Sequence, residues 1–494
     1  MRRDAYPYLH SDNSKIALVE GSNSFTYSEV DRRADLFASG LLSGTDDLNE
    51  ERIAFFLPAS INYVTAMHGV WRAGGIAVPL NVASAIMELE HYLSCASITR
   101  LIANPDSHKA LEPICRELSI TLLSVEEVMA STVPVLPEVS EDRRAMILFT
   151  SGTTNKPKGV VSTHKTIRAQ ITTLVEAWEW SKEDTIPLFL PLHHIHGIIN
   201  ILSCGLWAGA TVHLFAKFDI PRITEQVASG TYNVFMAVPT IYIKLIQYFD
   251  GIENKRVQSI CDGFKAMRLN ISGSAACPVK LFNQWQDLTG QVLLERYGMT
   301  EIGMGISNPY TGERRAGCVG QPLPGVQVQL FDENNSPIST EGIPGEIRIR
   351  GNNVFLEYWD NPKATNESFE SGWFRTGDVA ILEDGYYRIM GRSSVDIIKS
   401  GGYKLSALEI EGVLLTHESV AEVAVIGVAD DMWGEAVTAI IALKPDCSLS
   451  YDQLKTWCDG KMSSYKVPKA LRLVDELPKN AMGKVTKPKL HELI

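Results

Sequence analysis

Short apolar runs rich in β-branched and aromatic residues alternate with helix-like stretches over about the first 300 residues. No other feature limits the possible folds of the chain as strongly. The runs lie at 51–58, 75–80, 100–104, 145–152, 185–192, 233–239, 268–274 and 292–298. Between most of them apolar residues recur with helical spacing, for example over 60–73 and 164–179. Because strands that alternate with helices are typical of parallel sheets covered by helices, the pattern predicts an α/β fold.

The character of the sequence changes twice after this region. After Tyr297 come pieces punctuated by Gly and Pro, such as EIRIRG and GYYRIMGR, which are typical of strands joined by turns. From about residue 393 helices and strands alternate again. We therefore predict a large N-terminal domain over 1–392, made of two parallel α/β sheets and a β-rich subdomain, and a small, mobile α+β C-terminal domain over 393–494.

The composition excludes several classes of protein. The 494 residues are 45% hydrophobic and 21% charged, which is ordinary globular usage and argues against a disordered or fibrous chain. A net charge of −12 disfavours nucleic acid or an anionic membrane surface as the main partner. Eight cysteines without a CxxC pair indicate neither a zinc site nor a disulfide framework, which is typical of a reducing compartment.

Two stretches bear on location. The N-terminal MRRDAYPYLH has no apolar run behind its arginines, so it is not a secretory signal, and we expect the cytoplasm without excluding an organelle. The uncharged stretch 197–215 is long enough to be a membrane-span candidate. Its glycines, Asn200, His213 and the strand-like ATVHLF at its end favour a buried helix followed by a buried strand.

Residues 149–160 read FTSGTTNKPKGV and follow an apolar, strand-like run. A strand that ends in a loop with glycines, hydroxyls and lysines can direct N–H groups, hydroxyls and ammonium groups at a polyanion. The segment is not a Walker A loop, because GxxxxGK[ST] is absent. It therefore predicts a different kind of phosphate-binding loop.

Four further strings follow in order, namely YGMTE at 297–301, WFRTGD at 373–378, GR at 391–392 and PKNAMGK at 478–484. Together with the loop they resemble the acyl- and aryl-CoA synthetases of the adenylate-forming superfamily, over essentially the whole chain. The strings LLERYGMTEIGM and SGSAACP look most like the malonyl-CoA synthetases of that superfamily. The resemblance implies that malonate, ATP and CoA, with Mg²⁺, give malonyl-CoA, AMP and pyrophosphate through a malonyl-adenylate.

The resemblance also implies roles for individual residues. Lys484 would reach the reacting carboxylate and the α-phosphate, and Thr300 and Glu301 would meet the α-phosphate, with Glu301 as the Mg²⁺ ligand. The reaction brings two anions together, and Lys484 and Mg²⁺ would supply the fixed positive charge that this requires. Asp378 and Arg392 would hold the ribose hydroxyls. The other implied ATP-binding residues are Thr150, Ser151, Gly152, Thr153, Thr154, Lys156, Lys158, Gly159, Ser272, Gly273, Ser274 and Ala275. Those implied for the CoA pantetheine tunnel are Ser400, Gly401 and Gly402, and a hinge is expected within 393–396.

Substrate choice is predicted to depend on Arg296, whose permanent charge immediately precedes YGMTE at the acyl pocket. A buried guanidinium needs an anion, and a dicarboxylate would supply one. We expect Lys244, His194 and Met299 to join it in binding the acid. The alternative is that Arg296 points outward and pairs with a surface carboxylate. The resemblance assigns PLHHIHG to the acyl pocket rather than to a zinc site, with His196 packing locally or facing the pocket.

Three other functions stay open at this point. The chain could be a CoA ligase for another short acid, such as methylmalonate, succinate or a fatty acid. It could be another adenylating enzyme, such as a luciferase-like protein or an adenylation module. It could also be a nucleotide-binding regulatory protein without catalysis, although the presence of Lys484, Glu301 and Asp378 argues against this. The expected partners are therefore small molecules, with no nucleic acid and no membrane span, and a monomer and a dimer are both compatible with the sequence.

Overall fold

The structure is a computed structural model that describes residues 14–130, 135–150, 157–393, 395–400, 403–430, 432–479 and 485–494. Its strands are β1 Ile16–Glu20, β2 Asn23–Thr26, β3 Arg52–Phe56, β4 Ile76–Pro79, β5 Arg100–Ala103, β6 Thr121–Leu123, β7 Arg144–Thr150, β8 Lys158–Thr163, β9 Thr185–Leu188, β10 Thr211–Leu214, β11 Val234–Ala237, β12 Leu269–Ser272, β13 Leu294–Met299, β14 Gly303–Ser307, β15 Gln321–Pro322, β16 Gln327–Phe331, β17 Pro337–Ile338, β18 Gly345–Arg350, β19 Glu357–Tyr358, β20 Phe369–Glu370, β21 Trp373–Glu383, β22 Tyr386–Arg392, β23 Ile397–Ser400, β24 Tyr403–Ser406, β25 Val420–Asp430, β26 Gly434–Leu443 and β27 Ala470–Val474.

Its helices are α1 Tyr27–Leu42, α2 Ile61–Arg72, α3 Ile86–Cys95, α4 Pro105–Glu117, α5 Val125–Val128, α6 His164–Ala177, α7 Cys204–Ala208, α8 Ile220–Ala228, α9 Pro239–Phe249, α10 Asn254–Ala266, α11 Val279–Thr289, α12 Pro362–Glu367, α13 Ala407–Leu414, α14 Tyr451–Cys458 and α15 Lys487–Leu490, with a π-helix at His196–Ser203 and a final 3₁₀ turn at His491–Leu493. The strands and helices predicted from apolar runs are confirmed in type and order, with ends that differ by a few residues.

The largest sheet has seven strands in the order β19-β8-β7-β4-β3-β5-β6. Strands β6, β5, β3, β4 and β7 run parallel, as predicted. The sheet is mixed rather than wholly parallel, because β7 pairs antiparallel with β8. Only residues 151–157 join these two strands, and a parallel pair would need a crossover of about a dozen residues or more. The predicted phosphate loop therefore caps a hairpin.

Two further sheets meet edge to edge. One has the order β2-β1-β10-β9 and the other the order β11-β12-β13-β14-β15. At their junction the Thr185 N–H donates to Asn233 Oδ1 at 2.8 Å, and the Asn233 N–H donates to the Thr185 carbonyl at 3.2 Å. Each sheet has a parallel part, β1-β10-β9 and β11-β12-β13, and antiparallel strands at one edge.

Local sequence signals explain where the first helices begin. In α1 the Thr26 hydroxyl accepts from the Glu29 N–H and the Glu29 carboxylate accepts from the Thr26 N–H, which is a capping box. In α2 the Ser60 hydroxyl caps the Tyr63 N–H. Helix α1 buries one face in the main core, whereas α2 is buried on nearly all sides. Trp71, on α2, is 2% exposed there.

The uncharged stretch 197–215 forms a helix and a strand, as predicted. The π-helix His196–Ser203 is fully buried and runs into α7, and β10 follows. Within the described ranges, no helix is long and apolar enough to cross a membrane. The π-helix was not expected from the sequence, and such helices are rare and often occur at functional sites.

The β-rich part after Tyr297 is confirmed. Its sheet has the order β17-β16-β18-β21-β20, with β22 added beside β21, and all of its pairs are antiparallel. In the hairpin of β21 and β22, Asp378 lies directly opposite Arg392. This sheet therefore brings together two of the predicted site residues.

The last hundred or so residues form a sheet of their own, in the order β24-β23-β26-β25 with β27 parallel to β26. Helices α13 and α14 pack on a separate core that includes Ile410 and Leu454. Strand β22 ends at Arg392 and β23 begins at Ile397. The domain boundary between 392 and 393 stays a prediction.

All eight cysteines lie in the described ranges as free thiols. Five are buried, two are half-buried, and only Cys447, in the turn after β26, is exposed.

Candidate active site

Of the predicted phosphate loop, the structure describes the two ends, which belong to the end of β7 and the start of β8. Thr150 and Lys158 are paired across this hairpin, and the Lys158 Nζ lies 4.9 Å from the centre of the Tyr358 ring. Gly159 packs closely, since a Cβ there would lie 2.9 Å from Ile147 Cγ2. The other predicted loop residues, Ser151, Gly152, Thr153, Thr154 and Lys156, lie outside the described ranges, so their contacts stay a prediction.

Glu301 lies in the turn after β13, beside Thr300, and is 5% exposed. The Tyr358 hydroxyl donates to Glu301 Oε1 at 2.9 Å. Burial raises the pKa of Glu301, while the nearby cations Arg392 and Lys158 act in the opposite direction. A carboxylate oxygen is the type of ligand that Mg²⁺ prefers, and a desolvated carboxylate gains from a bound cation. The residues present therefore fit the predicted metal.

Asp378 and Arg392, paired across β21 and β22, make an ion pair with 3.1 Å between Arg392 Nε and Asp378 Oδ1. The Tyr297 hydroxyl donates to the other oxygen, Oδ2, at 2.5 Å. Burial raises the pKa of Asp378, and the charge of Arg392 opposes that rise. Tyr297 belongs to the YGMTE string, but its hydrogen bond to Asp378 was not predicted from the sequence.

Three residues of the SGSAA string, Gly273, Ser274 and Ala275, lie in the loop after β12, which itself ends at Ser272. A Cβ on Gly273 would lie 2.4 Å from Arg296 Cζ, so only glycine leaves room for that guanidinium. Ser274 has a φ of +67°, a left-handed conformation that is uncommon for serine. This loop conformation accompanies the placement of the Ser274 hydroxyl against Arg296.

Arg296, on β13, is 4% exposed. Its Nη2 lies 3.4 Å from Ser274 Oγ, its Nε has no hydrogen-bond partner, and no carboxylate in the described ranges pairs with it. Burial lowers the pKa of Arg296 to about 9. The alternative that Arg296 points outward to a surface carboxylate is therefore wrong.

His196, the first residue of the π-helix, faces the same group. Its Nδ1 lies 3.1 Å from Ser274 Oγ, and its Nε2 is buried with no hydrogen-bond partner among the described residues. Burial lowers the pKa of His196 well below its ordinary value, and the charges of Arg296 and His194 lower it further. His196 is therefore neutral at physiological pH. The sequence left its orientation open.

The other predicted acid-binding residues are placed differently. His194 is half-buried beside His193, with 4.1 Å between ring centres, and Met299 is half-buried at the end of β13. Lys244 lies on the exposed face of α9, and none of its contacts in the described part of the chain joins it to Arg296. Its placement gives no support to the prediction that Lys244 assists Arg296.

Of the residues predicted for CoA, Ser400 is buried at the end of β23, and Gly401 and Gly402 lie outside the described ranges. Lys484 also lies outside them. Tyr358 was missed by the sequence reasoning. Its place in EYWDNP gives no local signal, since its partner Glu301 is distant in the chain.

Comparisons with known proteins bear on this site. Residues 9–359 match the family described as AMP-binding enzyme, and residues 409–484 match the AMP-binding enzyme C-terminal domain. The mitochondrial malonate–CoA ligase ACSF3 of Mus musculus is 43% identical, over 98% of this chain and 91% of its own length. The malonate–CoA ligase of Arabidopsis thaliana is 38% identical, over 90% of this chain and 78% of its own.

Solved structures are similar over nearly the whole chain. ATP-bound MatB from Rhodopseudomonas palustris has a TM-score of 0.90 and 31% identity, and covers 100% of this chain and 99% of its own. A malonyl-CoA ligase in a ternary product complex with methylmalonyl-CoA and AMP has a TM-score of 0.70 and 32% identity, and covers 96% of this chain and 100% of its own.

Proposed function

The chain belongs to the AMP-binding enzyme family, and from that membership we propose that it is a malonate–CoA ligase that forms malonyl-CoA, AMP and pyrophosphate from malonate, ATP and CoA. It is an AMP-forming acyl-CoA synthetase of the acid–thiol ligase class, with ATP and CoA as co-substrates. The proposal therefore concerns chiefly the acid and the residues that act on it.

One observation carries the choice of malonate, namely the buried guanidinium of Arg296 without a carboxylate partner in the described ranges. An unpaired buried charge costs several kcal/mol, and a guanidinium binds carboxylates through two parallel hydrogen bonds. The distal carboxylate of malonate supplies that partner, whereas acetate or butyrate leaves the charge alone. His196 is neutral, so it can contact the bound acid without adding a second charge to desolvate.

The remaining site residues are proposed to serve adenylate formation. Asp378 accepts hydrogen bonds from the ribose hydroxyls while it keeps its contacts with Tyr297 and Arg392. This is possible because each carboxylate oxygen can accept more than one hydrogen bond. Glu301 would hold Mg²⁺, which when bound polarises the phosphoryl oxygens. We propose that Lys484 neutralises charge between carboxylate and α-phosphate. Its replacement by alanine should abolish ATP–pyrophosphate exchange and spare the conversion of supplied malonyl-AMP with CoA.

The cellular compartment is a separate proposal. We propose the cytoplasm, a reducing compartment that suits a chain whose eight cysteines are free thiols, and note that the relatives from Mus musculus and Homo sapiens are named mitochondrial. Fractionation of the source cells with an antibody to this chain tests the point. Recovery with mitochondrial markers would replace the cytoplasm by that organelle.

The proposed substrate is tested by kcat/KM for malonate, methylmalonate, succinate, acetate and butyrate, measured on the wild type, Arg296→Leu and Arg116→Leu. Arg116 is a matched control, since its side chain is 78% exposed on α4 and Glu112 is its one ion-pair partner among the described residues. Sites built around a buried polar partner reject analogues that lack it by ~10⁴-fold or more, whereas a methylene is worth only ~10–200-fold. We expect the wild-type kcat/KM for malonate to exceed that for acetate strongly and that for methylmalonate modestly. Of the two variants, Arg296→Leu should lose activity on malonate and Arg116→Leu should keep it.

Each of the following outcomes would overturn a part of the proposal. A wild-type preference for butyrate would replace malonate by a monocarboxylate, and similar malonate values in wild type and Arg296→Leu would remove the guanidinium from substrate binding. A preference for methylmalonate would keep the role of Arg296 in binding the distal carboxylate and replace malonate as the substrate. Absence of pyrophosphate release with every acid would favour the regulatory alternative.

A further inference from the structure

Lys487, the first residue of α15, has its ammonium group among acidic side chains. Its Nζ lies 2.6 Å from Asp396 Oδ1 and 2.7 Å from Glu411 Oε1, and donates to the Val425 carbonyl at 3.2 Å. Only 11% of the side chain is exposed. Because an ammonium group has three N–H donors, each has an acceptor, which sets Lys487 apart from a solvated surface lysine.

Asp396 in turn contacts the proposed ribose-binding pair. Its Oδ2 accepts from the Arg392 N–H at 2.9 Å, and the Arg392 side chain pairs with Asp378. A Cβ on Gly391, whose φ is +123°, would lie 2.3 Å from Asp396 Cβ, so the close return of the chain requires glycine there. A continuous series of bonds therefore runs from Asp378 through Arg392 and Asp396 to Lys487.

The other end of the cluster is fixed to the C-terminal sheet. Glu411, on α13, accepts from the Val425 N–H of β25 at 2.8 Å. Burial raises the pKa of Glu411, and the charge of Lys487 opposes that rise. Lys487 thus joins three parts of the chain, namely the segment after Arg392, the C-terminal sheet, and its own segment. Lys484 precedes it by only three residues, and such a stretch spans at most ~11 Å.

From these contacts we propose that Lys487 is a positioning residue for adenylate formation. It anchors the chain that follows Lys484 in the sequence to the ribose-binding pair through Asp396, and it is not needed for thioester formation. The inference rests on the proposed function, since it assigns Lys487 to one half-reaction of that enzyme.

The test separates the two half-reactions in the full chain. Malonate-dependent ATP–pyrophosphate exchange reports adenylation, and conversion of malonyl-AMP and CoA to malonyl-CoA reports thioester formation. Because a misplacement of about 1 Å can cost ~10²-fold in rate, we expect Lys487→Met to lower the exchange rate ~10²-fold and thioester formation less than threefold. Lys487→Arg should recover most of the exchange. The matched control is Lys489→Met, at an exposed position of the same helix.

A second variant keeps the test valid if Lys487→Met does not fold, because that change leaves two buried carboxylates without their cation. In the double variant Lys487→Met, Glu411→Gln, only Asp396 keeps its charge. We expect it to lose ATP–pyrophosphate exchange selectively, as Lys487→Met does. Equal losses in both half-reactions, or unchanged exchange, would overturn the positioning role. If the wild type prefers another acid, the half-reactions are measured with that acid, so that the proposed substrate can fail while this inference is still tested.

Discussion

Replacement of Arg296 by methionine is expected to raise the stability of the protein while removing its activity on malonate. Burial lowers the pKa of Arg296 to about 9. The lowered value means that the fold disfavours the charged form, and this cost is fully present at pH 7 and disappears only as the pH rises through 9 and beyond. At ~1.4 kcal/mol per pKa unit, the depression corresponds to a cost of several kcal/mol.

Methionine keeps the length of the buried stem and carries no charge. Replacing buried charged groups by apolar ones of similar size is worth up to ~1–4 kcal/mol. For a domain of about 390 residues, with an unfolding entropy of ~0.8 kcal/mol/K, we therefore expect Tm to rise by roughly 1–5 °C. Loss of one partner of a buried charge pair costs ~2–5 kcal/mol in binding, so kcat/KM for malonate should fall by ~30- to 5,000-fold.

The assay is calorimetry at pH 7 with and without saturating malonate, together with steady-state kinetics. Malonate should raise the Tm of the wild type, because it binds the folded state, and leave that of Arg296→Met unchanged. Arg314→Met is the control, since the Arg314 guanidinium donates to the carbonyls of Val292, Pro309 and Tyr310 at 2.7–3.2 Å. Its loss leaves those acceptors unpaired and should lower Tm. Equal destabilisation by both substitutions, or malonate activity within threefold of wild type, would refute the reasoning.

Three further predictions concern neighbours of this site. Burial raises the pKa of Glu295 to about 8, so the folded state keeps a proton that the unfolded chain loses, and stability falls as pH rises from about 4.5 to 8. Urea unfolding at pH 5 and 8 should show Glu295→Gln losing roughly 2–4 kcal/mol less than wild type over this range, and equal losses would contradict the assignment. Gly273→Ala places a Cβ 2.4 Å from Arg296 Cζ and should lower kcat/KM for malonate ~10²-fold. Unchanged malonate kinetics would mean that Arg296 moves aside. Tyr297→Phe removes the 2.5 Å hydrogen bond to Asp378 and should raise the KM for ATP ~10-fold, whereas a rise confined to the KM for malonate would argue against a ribose-binding role.

Much of the fold was predictable, because buried strands of parallel sheets are continuous apolar runs and the chain between them has helical periodicity. The direction of β8 relative to β7 was not predictable from the sequence pattern. Its apolar residues Val160 and Val161 look the same in a parallel or an antiparallel strand, and only the short connection from β7 decides between them. The π-helix was missed for a similar reason, since HGIINILS has the apolar character of any buried helix.

In the candidate site, a shared role for Asp378 and Arg392 was implied by the family resemblance, and the structure brings these two side chains together. The burial of Arg296 could be inferred only through the chemistry of a charged residue next to a pocket motif. Lys487 could not be found in this way. It lies in the polar string VTKPKL, which is typical of a solvated surface, and its acidic partners come from distant parts of the chain.

The distribution of thiols gives this chain a natural attachment point for a spectroscopic probe. Cys447 is the exposed cysteine, and it lies in the turn after β26, on the C-terminal sheet. Burial raises the pKa of the half-buried Cys95 and Cys318, so at neutral pH both hold even less of the reactive thiolate than an ordinary thiol. A maleimide dye should therefore label Cys447 first, without any engineered substitution. Energy transfer to that dye from tryptophans of the N-terminal part, such as Trp71 and Trp285, would then follow in real time any rotation of the C-terminal sheet during turnover, above the transfer from Trp433 and Trp457 of the C-terminal part.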